Sequence, residues 1–557
     1  MICSLVMLLS FLGAPSPLPH SGATLLDMFL RLKIVGEAPS RVSRLENYKT
    51  LQNQPKQRNL DNRPLVDHFV PPISLLYEGF GAFEDVRRGV PVPGEDKILE
   101  VQLWDEVNDF MGRMTEFYDS EAGRRAVVIH HLQKILRARK DPDAVGESIR
   151  ASKIGARQIT SDGHSNGPHE AIVFCIECKN ELSNISCEPS AELVSYVASS
   201  FKEQLEGNYQ ALFHAWRVPA LGMTQIGEWS LHVSRLYFLT GFSGAFVQFF
   251  GIVMLAPQMR VVQLTPMLPL AIPIDDEQSR WNVFLAFKAA SIVIAKLQAD
   301  AQQLLQKERL HTIPFELRGL PGITSIKALP TPTSPSPPRI EFTLLRRYDQ
   351  TVAYRNLYDA RLGSADEQMD EQIYVKFTQQ YSHGLHVFCA KRGLAPELLG
   401  FERLTGGWFA LAMKKIDIID PREIKSFSEL ETWKKEIRSL VEDFHREDLV
   451  HGDLRPANFI FTKDKNPRKM LLVDFDWGGE VGKAFFPRGE LAEELQVPND
   501  RLKRPITKEH DDQVLAWTFT WLDQLATQAL GLVDKAQPLG RIEMEVDPID
   551  SSGAVSR

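Results

Sequence analysis

The sequence predicts a multidomain protein of mixed α+β and α/β class, and three observations support this. The chain has 557 residues, which is too long for one ordinary core and favours two or three domains. A proline-rich stretch, LPTPTSPSPPR at 329–339, separates two segments that each contain both helical and strand patterns. Composition is typical of a soluble protein, with 43% hydrophobic and 24% charged residues.

The predicted domain boundaries follow from these composition changes. They are a partly irregular segment at 1–95, an α/β domain at 96–320, a linker at 321–339, a second domain at 340–535 and a disordered tail at 536–557. The net charge of −8 argues against a strongly basic nucleic-acid binder as a whole. Five cysteines in so long a chain favour a reducing compartment, and therefore an intracellular location in cytoplasm or nucleus.

Before the linker, the elements follow an order that suits an α/β sandwich around a mixed sheet. Helices are predicted at 103–117, 124–139, 143–154, 192–204 and 281–306, with two strands inside 155–181 and another at 229–235. After the linker, strands are predicted at 341–348, 351–361, 371–378 and 408–413, and helices at 382–393, 428–446 and 509–531. This second order is that of a small sheet lobe followed by a helical lobe.

Two apolar stretches need an interpretation. The N-terminal run MICSLVMLLSFLGAPSP has no Lys or Arg before it, so intracellular location is favoured, with secretion as the alternative. The run at 236–256 is uncharged and long enough to span a bilayer. Because it contains Gln248 and three glycines, we interpret it as buried strands, and a membrane is not expected as a partner.

The segment VHGDLRPANFIFTKDKNPRKMLLVDFDW, at 450–477, is the strongest chemical signal in the chain. Its H-x-D-L-x-x-x-N pattern followed by Asp-Phe resembles the protein-kinase signature, with HGD as in aminoglycoside phosphotransferases. In such a site Asp453 faces the acceptor hydroxyl and Arg455 lies beside the transferred phosphate. Asn458 and Asp474 hold Mg²⁺ on ATP. The segment therefore predicts a C-terminal bilobal protein-kinase-like domain with ATP and Mg²⁺ as cofactors.

Further residues complete this predicted site. In IYVKF, Lys376 takes the position of the strand lysine that contacts the α- and β-phosphates, and it is predicted to bind the nucleotide. His451 is expected to organise the loop, and Asp476 to be a second acidic group near the metal. The HDD motif at 510–512 either anchors the loop or caps a helix.

Two features depart from the kinase pattern. Residues 340–375 contain no G-x-G-x-x-G run, so phosphate cover by backbone N–H groups has no sequence support. The predicted helix YSHGLHVFCAKRG contains no Glu to pair Lys376, and His383 or His386 lies where a partner is expected.

A second constellation lies in the upstream domain. In AIVFCIECKN, a charged pair, Glu177 and Lys179, ends a strand that is apolar on both faces and is therefore predicted to be central. With Asp162 at the end of the preceding strand, it resembles the PD-(D/E)xK nuclease core. There Asp162 and Glu177 would hold Mg²⁺, Lys179 would steady the attacking hydroxide, and Glu147 would complete the metal shell. A strand-edge salt bridge is the alternative interpretation.

The same strand carries a C-x-x-C motif. Alternation places Cys175 and Cys178 on opposite faces, which disfavours zinc binding.

The whole chain resembles a large family of predicted proteins from mushroom-forming fungi, similar to Crinkler-type effectors. The resemblance is carried by PPISLLYEGFGAF, SDGHSNGPHEAIVFCIECKNELSNI, LVHGDLRPANFIF and LLVDFDWGGEVGKAFFP. It implies a restriction-endonuclease-like module joined to a kinase-like module, with ATP binding and Mg²⁺-dependent phosphotransfer. The sequence does not identify the phosphoacceptor, for which a protein is favoured over a small molecule. The alternatives are a nucleic-acid-cleaving effector with a regulatory kinase-like module, and a non-catalytic nucleotide-binding scaffold.

Overall fold

A computed structural model describes most of the chain between residues 37 and 529. The described ranges are 37–54, 71–137, 153–154, 159–166, 171–179, 188–206, 210–227, 245–255, 259–307, 310–330, 338–348, 356–363, 371–423, 426–463, 468–487 and 504–529, with Asp27, Leu30 and Leu495. The N-terminal apolar run, Glu147 and the predicted tail lie outside these residues. The described part is a mixed α/β protein with several sheets, as predicted.

Helices and strands alternate in the upstream part. The helices are α1 (Pro39–Val42), α2 (Leu45–Asn53), α3 (Ile73–Leu76), α4 (Glu78–Arg87), α5 (Lys97–Met114), α6 (Glu121–Arg137), α7 (Pro189–Glu206), α8 (Gln210–Ala215) and α9 (Glu277–Leu305). The strands are β1 (Lys153–Ile154), β2 (Ile159–Thr160), β3 (Gly163–Asn166), β4 (Ile172–Lys179), β5 (Ala220–Ile226), β6 (Phe246–Met254), β7 (Met259–Gln263) and β8 (Leu268–Pro269).

The upstream sheet is mixed, in the order β3-β4-β5-β6-β7 with β8 pairing β6. The β4–β5 pair is parallel and the other pairs are antiparallel. A parallel pair needs a crossover, and α7 and α8 supply it between β4 and β5. Strand β4 is therefore interior, as its two apolar faces predict, and it is buried along its whole length except at Lys179.

Two apolar layers cover this sheet. One contains α4, α5, α6 and α9, and Phe80 and Phe83 of α4 are fully buried in it. The other contains α7, whose Val194, Val197 and Phe201 are fully buried. Helix α9 is long and apolar enough to cross a membrane, but 67% of its most apolar window is buried.

The downstream part is built from a larger sheet and a helical layer. The strands are β9 (Ser325–Lys327), β10 (Arg339–Arg347), β11 (Asn356–Leu362), β12 (Gln372–Thr378), β13 (Leu398–Arg403), β14 (Phe409–Lys414), β15 (Ile418–Ile419), β16 (Leu449–Val450), β17 (Phe459–Thr462), β18 (Met470–Leu472) and β19 (Gly479–Glu480). The helices are α10 (His383–Lys391), α11 (Phe427–Arg446) and α12 (Lys508–Ala529).

The first sheet of this part is antiparallel throughout, in the order β13-β14-β12-β11-β10-β9. Helices α11 and α12 pack with α10 and two short sheets in a separate core that contains Trp433, Phe444 and Phe519. The antiparallel sheet and the helical core therefore meet at two segments, one between β12 and α10 and one after β18.

Several predicted elements differ from the observed ones. Strand β9 lies inside the stretch predicted as a linker, because Ser325–Lys327 pairs with Arg339–Glu341. Strands β5 and β13 were not predicted, whereas the predicted strand at 229–235 lies outside the described residues. Lys153–Ile154 is a strand that pairs with β2, so the end of the predicted helix at 143–154 is wrong.

The run at 236–256 is described only from Ala245 to Leu255. There it forms β6, which pairs with β5, β7 and β8, so the interpretation as a buried strand is confirmed over that part.

The segment predicted to be partly irregular contributes α3 and α4, which contact the turn before β14. The indole Nε1–H of Trp408 donates to Ser74 Oγ (3.1 Å), and the backbone N–H of Gly406 donates to Asp85 Oδ2 (2.9 Å). Thr405 Oγ1–H also donates to the carbonyl of Glu78 at 3.0 Å. Helices α3 and α4 therefore connect the core of the upstream sheet with the downstream sheet.

Candidate functional site

The HGD turn follows α11 and the short strand β16, and its backbone is fixed from a distant helix. The carboxylate of Asp511, on α12, accepts the backbone N–H groups of His451 and Gly452, each at 2.7 Å. Gly452 has φ +80°, and a Cβ there would lie 2.5 Å from Cδ1 of Ile506. Both the backbone conformation and the close approach require glycine at this position. The loop-anchoring alternative for the HDD motif is thus confirmed.

Asp453 is held by two of the residues predicted to accompany it. Arg455 donates to both of its carboxylate oxygens through Nε and Nη2, the latter at 2.9 Å. Asn458 Nδ2 donates to the backbone carbonyl of Asp453 at 2.8 Å, which turns the Asn458 amide oxygen away from that carbonyl. The side chain of Asp453 is only 8% exposed, so its carboxylate is held in place within the loop.

His451 is buried and lies next to this carboxylate. Its Nδ1 accepts the backbone N–H of Asp453 at 3.2 Å. Burial lowers the pKa of His451, and the negative charges of Asp511 and Asp453 partly offset this. A neutral imidazole that accepts a backbone hydrogen bond organises the loop, as predicted.

Lys376 lies between two carboxylates that follow β18. Its Nζ is 2.6 Å from Asp474 Oδ1 and 2.6 Å from Asp476 Oδ1. Asp474 adopts φ +68°, a left-handed conformation that Asp tolerates better than most residues. The strand lysine and the predicted metal strand, about a hundred residues apart in sequence, are brought into direct contact.

Lys376, Asp474 and Asp476 interact electrostatically. Burial alone lowers the pKa of Lys376, but the charges of Asp474 and Asp476 outweigh it and raise the pKa overall. Burial raises the pKa of Asp476 to about 6, with Lys376 opposing this and Asp474 adding to it. The pKa of the Asp476 carboxyl is therefore close to neutral pH.

The predicted histidine partners of Lys376 are engaged elsewhere. His386 contacts the hydroxyl of Tyr381 (2.6 Å) and the carbonyl of Pro396 (2.8 Å), and its ring stacks on Phe475 at 4.6 Å. Burial lowers its pKa to about 4, so it is neutral. His383 stacks on Phe401 at 4.5 Å. In the described part of the chain, the hydrogen-bond partners of Lys376 are therefore Asp474 and Asp476 and not a histidine.

A second polar group lies at the carboxyl end of β4. Asp162 precedes Gly163, which pairs with Ile176, and its Oδ2 accepts the backbone N–H of Cys178 at 2.8 Å. Its other oxygen receives Arg125 Nη1 of α6 at 2.8 Å. The antiparallel register therefore brings Asp162 beside the Glu177–Lys179 strand end, as expected, although Asp162 directly precedes β3 and does not end the strand before β4.

The Glu177 carboxylate is deeply buried in this group. Lys179 Nζ contacts Glu177 Oε1 and lies 3.1 Å from Glu192 Oε2 on α7. Burial raises the pKa of Glu177 well above its ordinary value, and the charges of Asp162 and Glu192 add to this. Three carboxylates and a lysine thus share one buried corner of the sheet.

Two members of this group were missed by sequence reasoning. Arg125 and Glu192 lie on helices that were predicted, but helical periodicity does not indicate which residue faces a distant strand end. Glu147, the other predicted member of this group, lies outside the described residues.

The cysteines Cys175 and Cys178 are free, fully buried and packed in the two opposite apolar layers, as alternation predicts.

Comparison with known proteins gives little. No known protein-family model matches the chain, and no curated protein matches it. Among solved structures, the chain is similar to the kinase PK-1 of Cydia pomonella granulovirus. That match has 14% identity and a TM-score of 0.27, and it covers 32% of this chain and 70% of the viral kinase.

Proposed function

We propose that residues 325–529 form an ATP- and Mg²⁺-dependent phosphotransferase of the protein-kinase type. The observation that carries the proposal is the position of Lys376, at 2.6 Å from both Asp474 and Asp476. In protein kinases the strand lysine that contacts the phosphates lies near the Asp that holds Mg²⁺, and the contact of Lys376 with Asp474 supports the same proximity here. The neighbouring HGD loop supplies the remaining groups.

The side chains fit Mg²⁺. Asp474, Asp476 and the amide oxygen of Asn458 are hard oxygen donors of the kind this ion prefers. The two carboxylates already contact one cation, the ammonium of Lys376, which supports their capacity to hold Mg²⁺ in its place. When bound, the ion would neutralise charge on the nucleotide phosphates.

The chain's own groups have separate roles in this proposal. Asp453 accepts the hydrogen bond of the attacking hydroxyl, and its backbone is held through Asn458. Arg455 neutralises Asp453 before substrate binds, and it is placed to turn towards a transferred phosphate. Lys376 holds the α- and β-phosphates once the nucleotide competes for it. The acceptor we propose is a protein hydroxyl.

Thermal unfolding with ATP and Mg²⁺ tests nucleotide binding. We expect the wild-type midpoint to rise in the presence of both ligands and the shift to be lost in Asp474→Asn. Asn tolerates the left-handed conformation, so this change removes charge and not backbone fit. Asp448→Asn is the matched control, because Asp448 also has positive φ (+55°) but is 78% exposed. A wild-type protein without any ligand-dependent shift would refute the proposal.

Autophosphorylation tests catalysis separately from binding. Radiolabel transfer from ATP should be lost in Asp453→Asn while the thermal shift with ATP and Mg²⁺ remains. A wild type that binds ATP but transfers no phosphate to itself or to a generic protein substrate would support a nucleotide-binding scaffold instead.

We propose nucleic-acid cleavage as a second function, carried by the upstream group. Glu177 Oε2 is buried without a hydrogen bond among the described residues, and such an orphaned oxygen fits a metal ion. Asp162 and Glu177 would hold Mg²⁺, which would polarise the scissile phosphate, and Lys179 would steady the attacking hydroxide. The partner would be nucleic acid.

Plasmid nicking in Mg²⁺ tests this second function. Nicking should be lost in Glu177→Gln and kept in Glu116→Gln, whose side chain is 52% exposed. Nicking that survives Glu177→Gln would rule the site out, without any bearing on the phosphotransferase. Both modules would match the Crinkler-type resemblance, and we propose that family and an intracellular location on the sequence motifs alone.

A further inference from the structure

A third polar cluster lies on the outer helix pair of the upstream part, apart from both sites described above. Glu106 and Asp109 are three residues apart on α5, so they lie on one helix face. His131 of α6 faces them across the helix pair. The carboxylate oxygens and the imidazole nitrogen lie within 4.8 Å of one another.

The histidine is the unusual member of this cluster. His131 is 4% exposed, and in the described part of the chain its Nδ1 has no hydrogen-bond partner. The nitrogen lies 3.7 Å from Asp109 Oδ2, so it points into the cluster but does not reach it. Glu106 Oε2 is likewise buried without a hydrogen bond within the described ranges. A buried imidazole nitrogen without a hydrogen bond, beside a buried carboxylate oxygen whose contact with Lys134 is at 3.5 Å, indicates a missing ligand in this cluster.

The surrounding charges are consistent with a cation. Burial lowers the pKa of His131, and the negative charge of Asp109 partly offsets this. Lys134 Nζ lies 3.5 Å from Glu106 Oε2, but the lysine side chain is 41% exposed and can turn to solvent. Asp109 is 51% exposed, so the cluster is open to solvent on that side.

We propose that Glu106, Asp109 and His131 bind a divalent transition-metal ion, with Zn²⁺ as the best fit, and that this ion joins α5 to α6. One imidazole and two carboxylates are a zinc donor set, and a water on the exposed side completes four-coordination. Mg²⁺ is disfavoured because it rarely takes imidazole. Helix α6 also carries Arg125, which contacts Asp162, so an ion that joins α5 to α6 would also help to hold Arg125 in position.

The test uses the full chain after chelator treatment, titrated with ZnCl₂ by calorimetry and with CoCl₂ by visible absorption. We expect one zinc ion per chain at this site, and visible Co²⁺ bands with the intensity of a four-coordinate ion. Titrations are repeated in a background of Glu177→Gln and Asp474→Asn, so that zinc at the other carboxylate groups is not counted. His131→Ala should weaken zinc binding at least about tenfold and abolish the Co²⁺ bands.

Three variants make the outcome decisive. His130→Ala changes the exposed neighbouring histidine and should leave zinc affinity unchanged. Asp109→Asn alters an exposed residue, so it keeps the test valid if His131→Ala does not fold. Lys134→Met removes the competing ammonium and should tighten binding. Zinc affinity that is unchanged in both His131→Ala and Asp109→Asn, or no zinc bound at all, would overturn the proposal.

Discussion

The carboxylate of Asp511 accepts the backbone N–H of Gly452 at 2.7 Å, across 59 residues of sequence. The same carboxylate accepts the N–H of His451, so one buried side chain on α12 defines the turn that carries Asp453. Thr518, also on α12, donates to the carbonyl of Leu454 at 2.7 Å. The loop is therefore held by a later helix as well as by its own hydrogen bonds.

We expect Asp511→Ala to destabilise the protein by about 2–3 kcal/mol, since two buried N–H groups lose a charged acceptor. The free energy of unfolding from urea denaturation measures this. Asp512→Ala is the matched control, because that neighbouring carboxylate is 67% exposed. Equal destabilisation by the two substitutions would contradict the role assigned to Asp511.

The close approach of Gly452 to Ile506 predicts a second effect. Gly452→Ala should cost about 2–4 kcal/mol, from the strained backbone together with the clash. Gly482→Ala is a control with the same φ of +80° and open space around its Cβ, so it reports backbone strain alone. The difference in unfolding free energy between the two variants isolates the clash, and Ile506→Ala should reduce it in a double-mutant cycle. No difference would show that Ile506 is irrelevant.

The pKa of Asp476 predicts a pH dependence. Because burial raises it from 3.8 to about 6 in the folded state, the folded protein binds more protons than the unfolded chain between these values. Stability contributed by this group therefore increases as pH falls from about 7 to about 4. Unfolding free energies measured against pH should show a smaller gain in Asp476→Asn than in wild type or Asp448→Asn, because other carboxyls with raised pKa, such as Glu177, contribute the remainder. A parallel profile for Asp476→Asn would be inconsistent with the raised pKa.

Competition between Lys376 and Mg²⁺ predicts a change in ion binding. In Lys376→Met, Asp474 and Asp476 lose their contact with the Lys376 ammonium, so Mg²⁺ without nucleotide should raise the thermal midpoint more than in wild type. ATP binding should be weakened in the same variant. Lys415→Met is the control, because Lys415 pairs with Asp359 on the same sheet. A smaller Mg²⁺ effect in Lys376→Met than in wild type would count against the metal assignment.

The buried carboxylates near β4 predict opposite effects of two substitutions. Glu177→Gln should leave stability unchanged or raise it at neutral pH, because Glu177 is desolvated beside Asp162 and Glu192. Lys179→Met should cost about 2–4 kcal/mol, less than for a fully buried pair because Lys179 is 23% exposed. Unfolding free energies of the two variants decide this, and a larger loss in Glu177→Gln would reverse the interpretation.

Local patterns in the sequence predicted much of the fold. Helices α5, α6, α7, α9, α11 and α12 were expected from their apolar periodicity, and β4 from its two apolar faces. Strand β13 was missed because Gly400 interrupts its pattern, and its pairing with β14 is decided by the sheet. Strand β9 was missed for a related reason, since three residues beside a proline-rich stretch carry no periodicity and gain their structure from β10.

The sequence by itself determined which residue types are present at the two candidate sites and the order in which they occur. The spacing of Asp453, Arg455 and Asn458 predicted one loop, because residues so close in sequence cannot separate far. Only the tertiary structure decided that Lys376 is paired by Asp474 and Asp476 rather than by His383 or His386, and that Glu192 and Arg125 complete the upstream group. These contacts join residues distant in sequence, and the packing of whole layers selects them because burying a charge without a partner is unfavourable.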